Sequence, residues 1–360
     1  MTFPLFTYLK NFFVSKRLLG RGIVPENLFQ ADILLKRLFE EKKTPGLAIT
    51  VLKEGNIIFQ KGFGYADLDT KKRIDPKKTM FRIASVSKPI AATALAHMVE
   101  DGIIDLDTSF YRYVPFYPKK EYDFTIRQLA GHTAGIRGYQ GKEHGLNKPY
   151  SIKESIEIFK DSELLFEPGT SYHYTSYDWV LVSLAMQEAS GIPFDEYVRD
   201  KVLHPLKLQN TFPEVAHKRY PKAATFYSKN RLGFRKSIPV NNWYKQAGGG
   251  FLSTSDDIAN FGNAYLQKKA DRHSWCQFIN TEMVNGKPTY YGLGWQVSMD
   301  KKGRHFYGHI GNGVGGYSNF FVYPKQQVVF SILVNCTNPN IQQELDEIID
   351  EILNTLSLLE

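Results

Sequence analysis

Strand-like segments lie at both ends of this chain with a helical, loop-rich stretch between them, and that distribution constrains the fold most. Alternating apolar runs occur at 47–52 and 57–61, joined at Glu54-Gly55-Asn56, a hairpin signal. After Gly248-Gly249-Gly250 they return at 291–297, 305–309, 317–322 and 328–334. The periodicity between is helical, at 126–130, 152–160 and 178–189, the last stopped by Gly191 and Pro193. Leu28, Ile33, Leu34, Leu38 and Phe39 predict a first helix over 26–41, and a last helix is expected over 342–356. Strands from both ends around helices imply an α/β (α+β) protein: an antiparallel sheet flanked by helices, with an inserted all-α lobe. We divide the chain into an extension, 1–25, and one domain, 26–360. Within the domain, 26–102 and 241–360 form the α/β lobe and 103–240 the helical lobe.

Composition narrows the function classes. The net charge of +8 is densest at Lys71-Lys72-Arg73 and Lys77-Lys78, a turn-like stretch that also holds Asp69 and Asp75. That pattern reads as a solvated loop rather than a nucleic-acid site, although the surplus charge favours anionic partners. No apolar run is long enough to span a membrane. The start of the chain lacks the basic and long apolar regions of a secretory signal. A cytoplasmic location, or a periplasmic one after signal removal, both stay open. Cys276 and Cys336 form no metal or redox motif, and the nine histidines show no ligand spacing, so neither metal nor cofactor is expected.

Chemistry concentrates at Ser85-Val86-Ser87-Lys88, which reads S-x-x-K and opens an apolar run from Pro89 to Val99. On a helix, residues three apart share a face, so Ser85 and Lys88 come within reach of each other. An apolar helix is buried, and a serine at its N-terminus lies beside free backbone N–H groups suited to an oxyanion. Burial also lowers an amine's pKa, so Lys88 is placed to take the serine proton. The motif alone is weak, since roughly one S-x-x-K is expected in any chain of this size.

Two further segments add weight. In 168–176, Tyr174 stands at a turn entering the helix at 178. Beside a lysine ammonium its phenol is expected to fall below its usual pKa of about 10 and to serve as a general base; packing of a loop is the alternative. Gly311, Gly313 and Gly316 spell G-x-G-x-x-G, but a strand-like run follows instead of the helix a dinucleotide site requires. We read the segment as a strand whose backbone is closely approached, or else as a glycine-rich hairpin.

In this order, with Phe81-Arg82-Ile83-Ala84 before Ser85, Gly131-His132-Thr133-Ala134-Gly135 and Tyr291-Gly292-Leu293-Gly294-Trp295, the chain resembles the serine β-lactamase and penicillin-binding-protein superfamily. It is most similar to the class C branch, with its D-peptidases and esterases. The resemblance implies Ser85 as acylated nucleophile, Lys88 as activating amine and Tyr174 as proton shuttle. Ser176 closes the motif written Y-x-N in the family, and His309-Ile310-Gly311 stands for K-T-G or H-x-G. The implied oxyanion hole uses the N–H groups of Ser85 and Asn312, while His132 and Thr133 are structural. Ser176, His309 and Gly311 would line the substrate site. The implied activity is hydrolysis of an amide or ester in a small molecule or peptide through an acyl-Ser85 intermediate. A genuine β-lactamase, or a non-catalytic binding or assembly protein that kept the fold, are the alternatives. Whether Lys88 or Tyr174 is the primary base, and the oligomeric state, stay open.

Overall fold

The hairpin expected near residue 54 is the seed of the central sheet. In the computed structural model, which describes residues 22–23, 25–215, 218, 220–267 and 273–358, β1 (Gly22–Ile23) is followed by helix α1 (Phe29–Glu40). Strands β2 (Gly46–Lys53) and β3 (Asn56–Asp67) come next. Glu54 and Gly55 both take positive φ, 53° and 82°, the two-residue turn whose twist matches its flanking strands. Strand β3 runs six residues past the expected end at Lys61, through Gly62 and Gly64. Glycine is needed inside it because a Cβ at Gly62 would stand 2.4 Å from the Ile74 carbonyl oxygen. Gly22–Ile23, expected within the extension, instead pairs antiparallel with β3; residues 1–21 and 24 of that extension lie outside the described residues.

The remaining strands of the central sheet are β4 (Lys72–Arg73), β5 (Gln296–Met299), β6 (His305–Gly313), β7 (Gly316–Tyr323) and β8 (Val328–Val334), and short strands elsewhere form three small sheets among the described residues. Their order is β1-β3-β2-β8-β7-β6-β5, with β4 against β3, and every pairing is antiparallel. The strand expected over 291–297 begins only at Gln296, because the chain bends at Gly294 in the left-handed region (φ 82°).

Both faces of the sheet are buried, which explains the unbroken apolar run of β8. Val328, Phe330, Ile332 and Val334 join the cluster that includes Leu35 and Leu38 of α1 and Ile348 and Ile352 of the last helix (Gln342–Ser357). Val329 and Leu333 face the other cluster, against helices α2 (Ser87–Glu100), α3 (Ile126–Ala130), α4 (Ser176–Ser190) and the helix Ser255–Leu266. Between α2 and β5 the chain is mainly helical and irregular. The segment 152–160, expected as one helix, is an α-turn, Ile152–Ser155, passing into a 3-10 turn, Ile156–Ile158.

Strand β6 meets the start of α2 at very close range. A Cβ on Gly311 would lie 2.3 Å from the Ile83 carbonyl oxygen, 2.3 Å from Ser318 Oγ and 3.1 Å from the Ser85 nitrogen. The glycine-rich strand is thus approached by the chain's own turn. Gly311→Ala is expected to lower stability by about 1–3 kcal/mol through overpacking against backbone. Thermal unfolding measures it, and an unchanged midpoint would contradict the close approach.

Candidate active site

Ser85 occupies a 3-10 turn, Ala84–Val86, that leads into α2, so the regular helix begins at Ser87 rather than at Ser85 as expected. Ala84 holds φ at 45°, a conformation that costs a non-glycine residue about 1–3 kcal/mol. Neighbouring bonds enforce it. The Ile83 N–H donates to the Phe251 carbonyl (3.1 Å), and Ser318 Oγ donates to the Ile83 carbonyl (2.7 Å). Ser87 Oγ donates to the Ala84 carbonyl (2.7 Å) and accepts the Phe251 N–H (3.2 Å). Ser87 therefore clamps the turn while Ser85 stays available.

Ser85 Oγ lies between two groups, Lys88 Nζ at 3.1 Å and the Tyr174 hydroxyl at 2.7 Å. Lys88 is fully buried, and its Nζ also reaches the Gly248 carbonyl at 2.7 Å. Burial brings its pKa down to about 7; the Asp178 carboxylate opposes the shift and the Lys245 charge adds to it. A large fraction of the amine is thus unprotonated at neutral pH. Tyr174 behaves opposite to expectation. Burial among neighbouring rings drives its phenol upward, only partly offset by the bond to Ser85. The side chain keeps 37% exposure, so solvent moderates that shift without reversing it. Tyr174 is a protonated phenol at neutral pH, and Lys88 is the group that carries a free lone pair.

The third expected segment divides by strand parity. The Ile310 N–H donates to Gln296 Oε1 (3.0 Å) on the β5 edge. Two residues on, the Asn312 N–H points to the same edge, past the last β5–β6 pair, Gln296 with Gly308. The Ser85 N–H belongs to the first turn of the helical segment, where donors have no partner within the helix. Both residues border one pocket. His309 does not line that pocket as expected. Only 1% exposed, it spends both ring nitrogens inside the protein. Nδ1 donates to the Ile310 carbonyl (2.7 Å), leaving Nε2 to accept the Tyr291 hydroxyl (2.9 Å). Burial, then the Lys88 charge, pushes its pKa down to about 3, so it is neutral. Gly311 contributes its missing side chain, and Ser176 lines the pocket with its hydroxyl bonded by Tyr139.

Behind these residues lies a group that sequence reading took as structural. His132 Nδ1 and Asp178 Oδ2 are 2.6 Å apart and both side chains are sealed from solvent. The His132 ring packs 4.5 Å from the Tyr174 ring and 4.8 Å from that of Tyr291. Burial pushes the histidine down and the carboxyl up, so the pair shares one proton. Asp178 had a sequence signal, an acid in the first helical turn directly before the apolar run Trp179–Val182. Gly248, whose carbonyl accepts from Lys88, lies in the glycine run that sequence reading singled out without giving it this role.

The pocket beside Ser85 has a volume of about 280 Å³, and Ser85, Ser176, Asn312, Tyr139 and Lys245 are among its walls. Tyr174 and His309 are not. Among the described residues no group of three or more His, Cys, Asp or Glu is gathered for a metal ion.

The chain matches the Beta-lactamase family over residues 32–354. It is 29% identical to the human serine beta-lactamase-like protein LACTB, mitochondrial, over 81% of this chain and 71% of that protein. The fold superposes on D-amino acid amidase from Ochrobactrum anthropi SV3 with a TM-score of 0.80, at 20% identity, covering 92% of this chain and all of the other (100%). It also superposes on a D-stereospecific amidohydrolase from Streptomyces sp. with a TM-score of 0.77, at 23% identity, covering 90% and 98%. The antiparallel sheet with its flanking helices is therefore the β-lactamase and transpeptidase architecture, and the chain belongs to the Beta-lactamase family as a β-lactamase-related serine hydrolase.

Proposed function

We propose that this protein cleaves an ester or amide through a covalent acyl-Ser85 intermediate, with Lys88 as the primary base. The observation that carries the reading is Ser85 Oγ held between a buried amine whose pKa is lowered to about 7 and a protonated phenol. Lys88 accepts the Ser85 proton as Oγ attacks the carbonyl carbon. The Ser85 and Asn312 N–H groups take the resulting oxyanion. Tyr174 gives its proton to the leaving oxygen or nitrogen as that bond breaks. It recovers a proton from the Lys88 ammonium, whose Nζ sits 4.7 Å from the phenol ring centre. Water then attacks the acyl-enzyme by the same route in reverse and restores Ser85. The amidohydrolase names of the structural neighbours support the same bond class.

Efficient β-lactam turnover is not part of this reading. Ile310 has no hydroxyl and His309 is neutral and buried, so a β-lactam carboxylate loses the charged partner the family supplies there. Such a loss is worth about 1.5–3 kcal/mol, or about tenfold to a hundredfold in affinity.

Incubation with an acylating serine probe is expected to add one adduct to the wild-type mass and none to Ser85→Ala. Folded wild-type protein that stays unlabelled would refute the reading. Acylation is expected to rise with pH through an apparent pKa of about 7, because the neutral amine is the active form; stopped-flow acylation measures it, and a flat profile assigns the base elsewhere. Tyr174→Phe is expected to slow turnover about 10²–10⁴-fold while leaving the pH midpoint in place. A lost midpoint in that variant would make the phenol the base.

A further inference from the structure

Lys245 is a second buried lysine on the wall of the nucleophile pocket, and the mechanism above does not use it. It is 9% exposed, and its Nζ donates one hydrogen bond, to the His144 carbonyl at 3.1 Å. The aromatic faces of Tyr139 and Tyr244 lie 5.6 Å away on each count. Among the described residues no carboxylate comes within salt-bridge distance of it. Glu214, the nearby acid, is already taken by a two-pronged contact from Arg82 at 2.8 Å and by Asn242 Nδ2 at 2.8 Å. A desolvated ammonium with donors to spare and no counter-ion is costly unless an anion completes it.

The pocket itself indicates where that anion comes from. Its walls carry Arg82 and Lys245 and no Asp or Glu. Tyr174, the group that hands a proton to the leaving atom, is absent from these walls, while Ser85 and Asn312 are present. Because the proposed leaving group must reach Tyr174, outside these walls, we assign the pocket to the acyl portion.

We propose that Lys245 is the anchor for a carboxylate on the acyl portion of the substrate, so that the site selects acyl groups ending in an acid over neutral ones of equal length. This rests on the acyl-Ser85 reading. It gives the surplus positive charge of the chain a local use, with the anion met on the pocket wall at Lys245 instead of on the strand at His309. After its one bond to the His144 carbonyl the ammonium keeps donors for a carboxylate oxygen.

The test compares mono-para-nitrophenyl adipate with para-nitrophenyl hexanoate, which differ at the chain end. Wild-type protein is expected to favour the adipate in kcat/KM at least about tenfold, mainly through KM. Lys245→Met is expected to remove that preference, and Lys245→Arg to keep most of it, so a general folding defect is separated from loss of the anchor. Absence of preference in wild type, or a ratio unchanged in Lys245→Met, overturns the proposal. If folded wild-type protein forms no acyl-Ser85 with either ester or with the serine probe, the hydrolase reading falls and takes the anchor with it. If it acylates with hexanoate but ignores the added carboxylate, only the anchor falls.

Discussion

Everything at this site follows from one amine being kept out of water. Lys88 is sealed under the serine turn by α2, by the Gly248 segment and by the Tyr174 ring. In water a lysine holds its proton at neutral pH and is no base. Removed from water, it gives the proton up near neutrality, and a serine 3.1 Å away gains an acceptor. The neighbours are arranged to keep that state. Tyr174 stays protonated and His309 stays neutral, while the nearby Lys245 charge adds to the downward pressure on the amine.

The same burial explains why the site spans so much of the sequence. A side chain as long as lysine is enclosed only by several elements at once, here the start of α2, the start of α4, the 246–250 segment and β6. Each contributes a part that works without a large side chain: a strained Ala84, the bare Gly311, the Gly248 carbonyl. Small residues let the backbones close in, and the closure excludes water.

Much of this was legible from residue pattern. The β8 strand falls at 328–334 as its apolar run predicts, and the Ser85–Lys88 spacing puts the two side chains within reach. What stayed hidden depends on tertiary surroundings. A tyrosine near a lysine is expected to ionise when the lysine is charged; here burial lowers the lysine to about 7 and the tyrosine's own burial outweighs any help from that charge. His309 was placed by motif on the substrate wall, yet its ring turns inward because the Ile310 carbonyl and Tyr291 hydroxyl supply both of its hydrogen bonds. Lys245 sits in an unremarkable polar stretch, and nothing local marks it as buried. The glycines of β3 concealed half a strand, since Gly62 answers to a contact with Ile74 and Gly64 to contacts with Phe39 and Pro45, all outside the hairpin.

The sheet order also bears on how the protein is made. Strand β2 forms early in the sequence but pairs on one side with β8, and the serine turn is braced by Ser318 of β7. A ribosome-bound chain that has emerged only through α2 therefore carries the nucleophile without its brace, its amine still in water. The braced serine turn therefore exists only in a chain that includes the last strands. Pairings between such distant segments also make folding slow, leaving a long interval in which the exposed edge of β2 needs protection from aggregation.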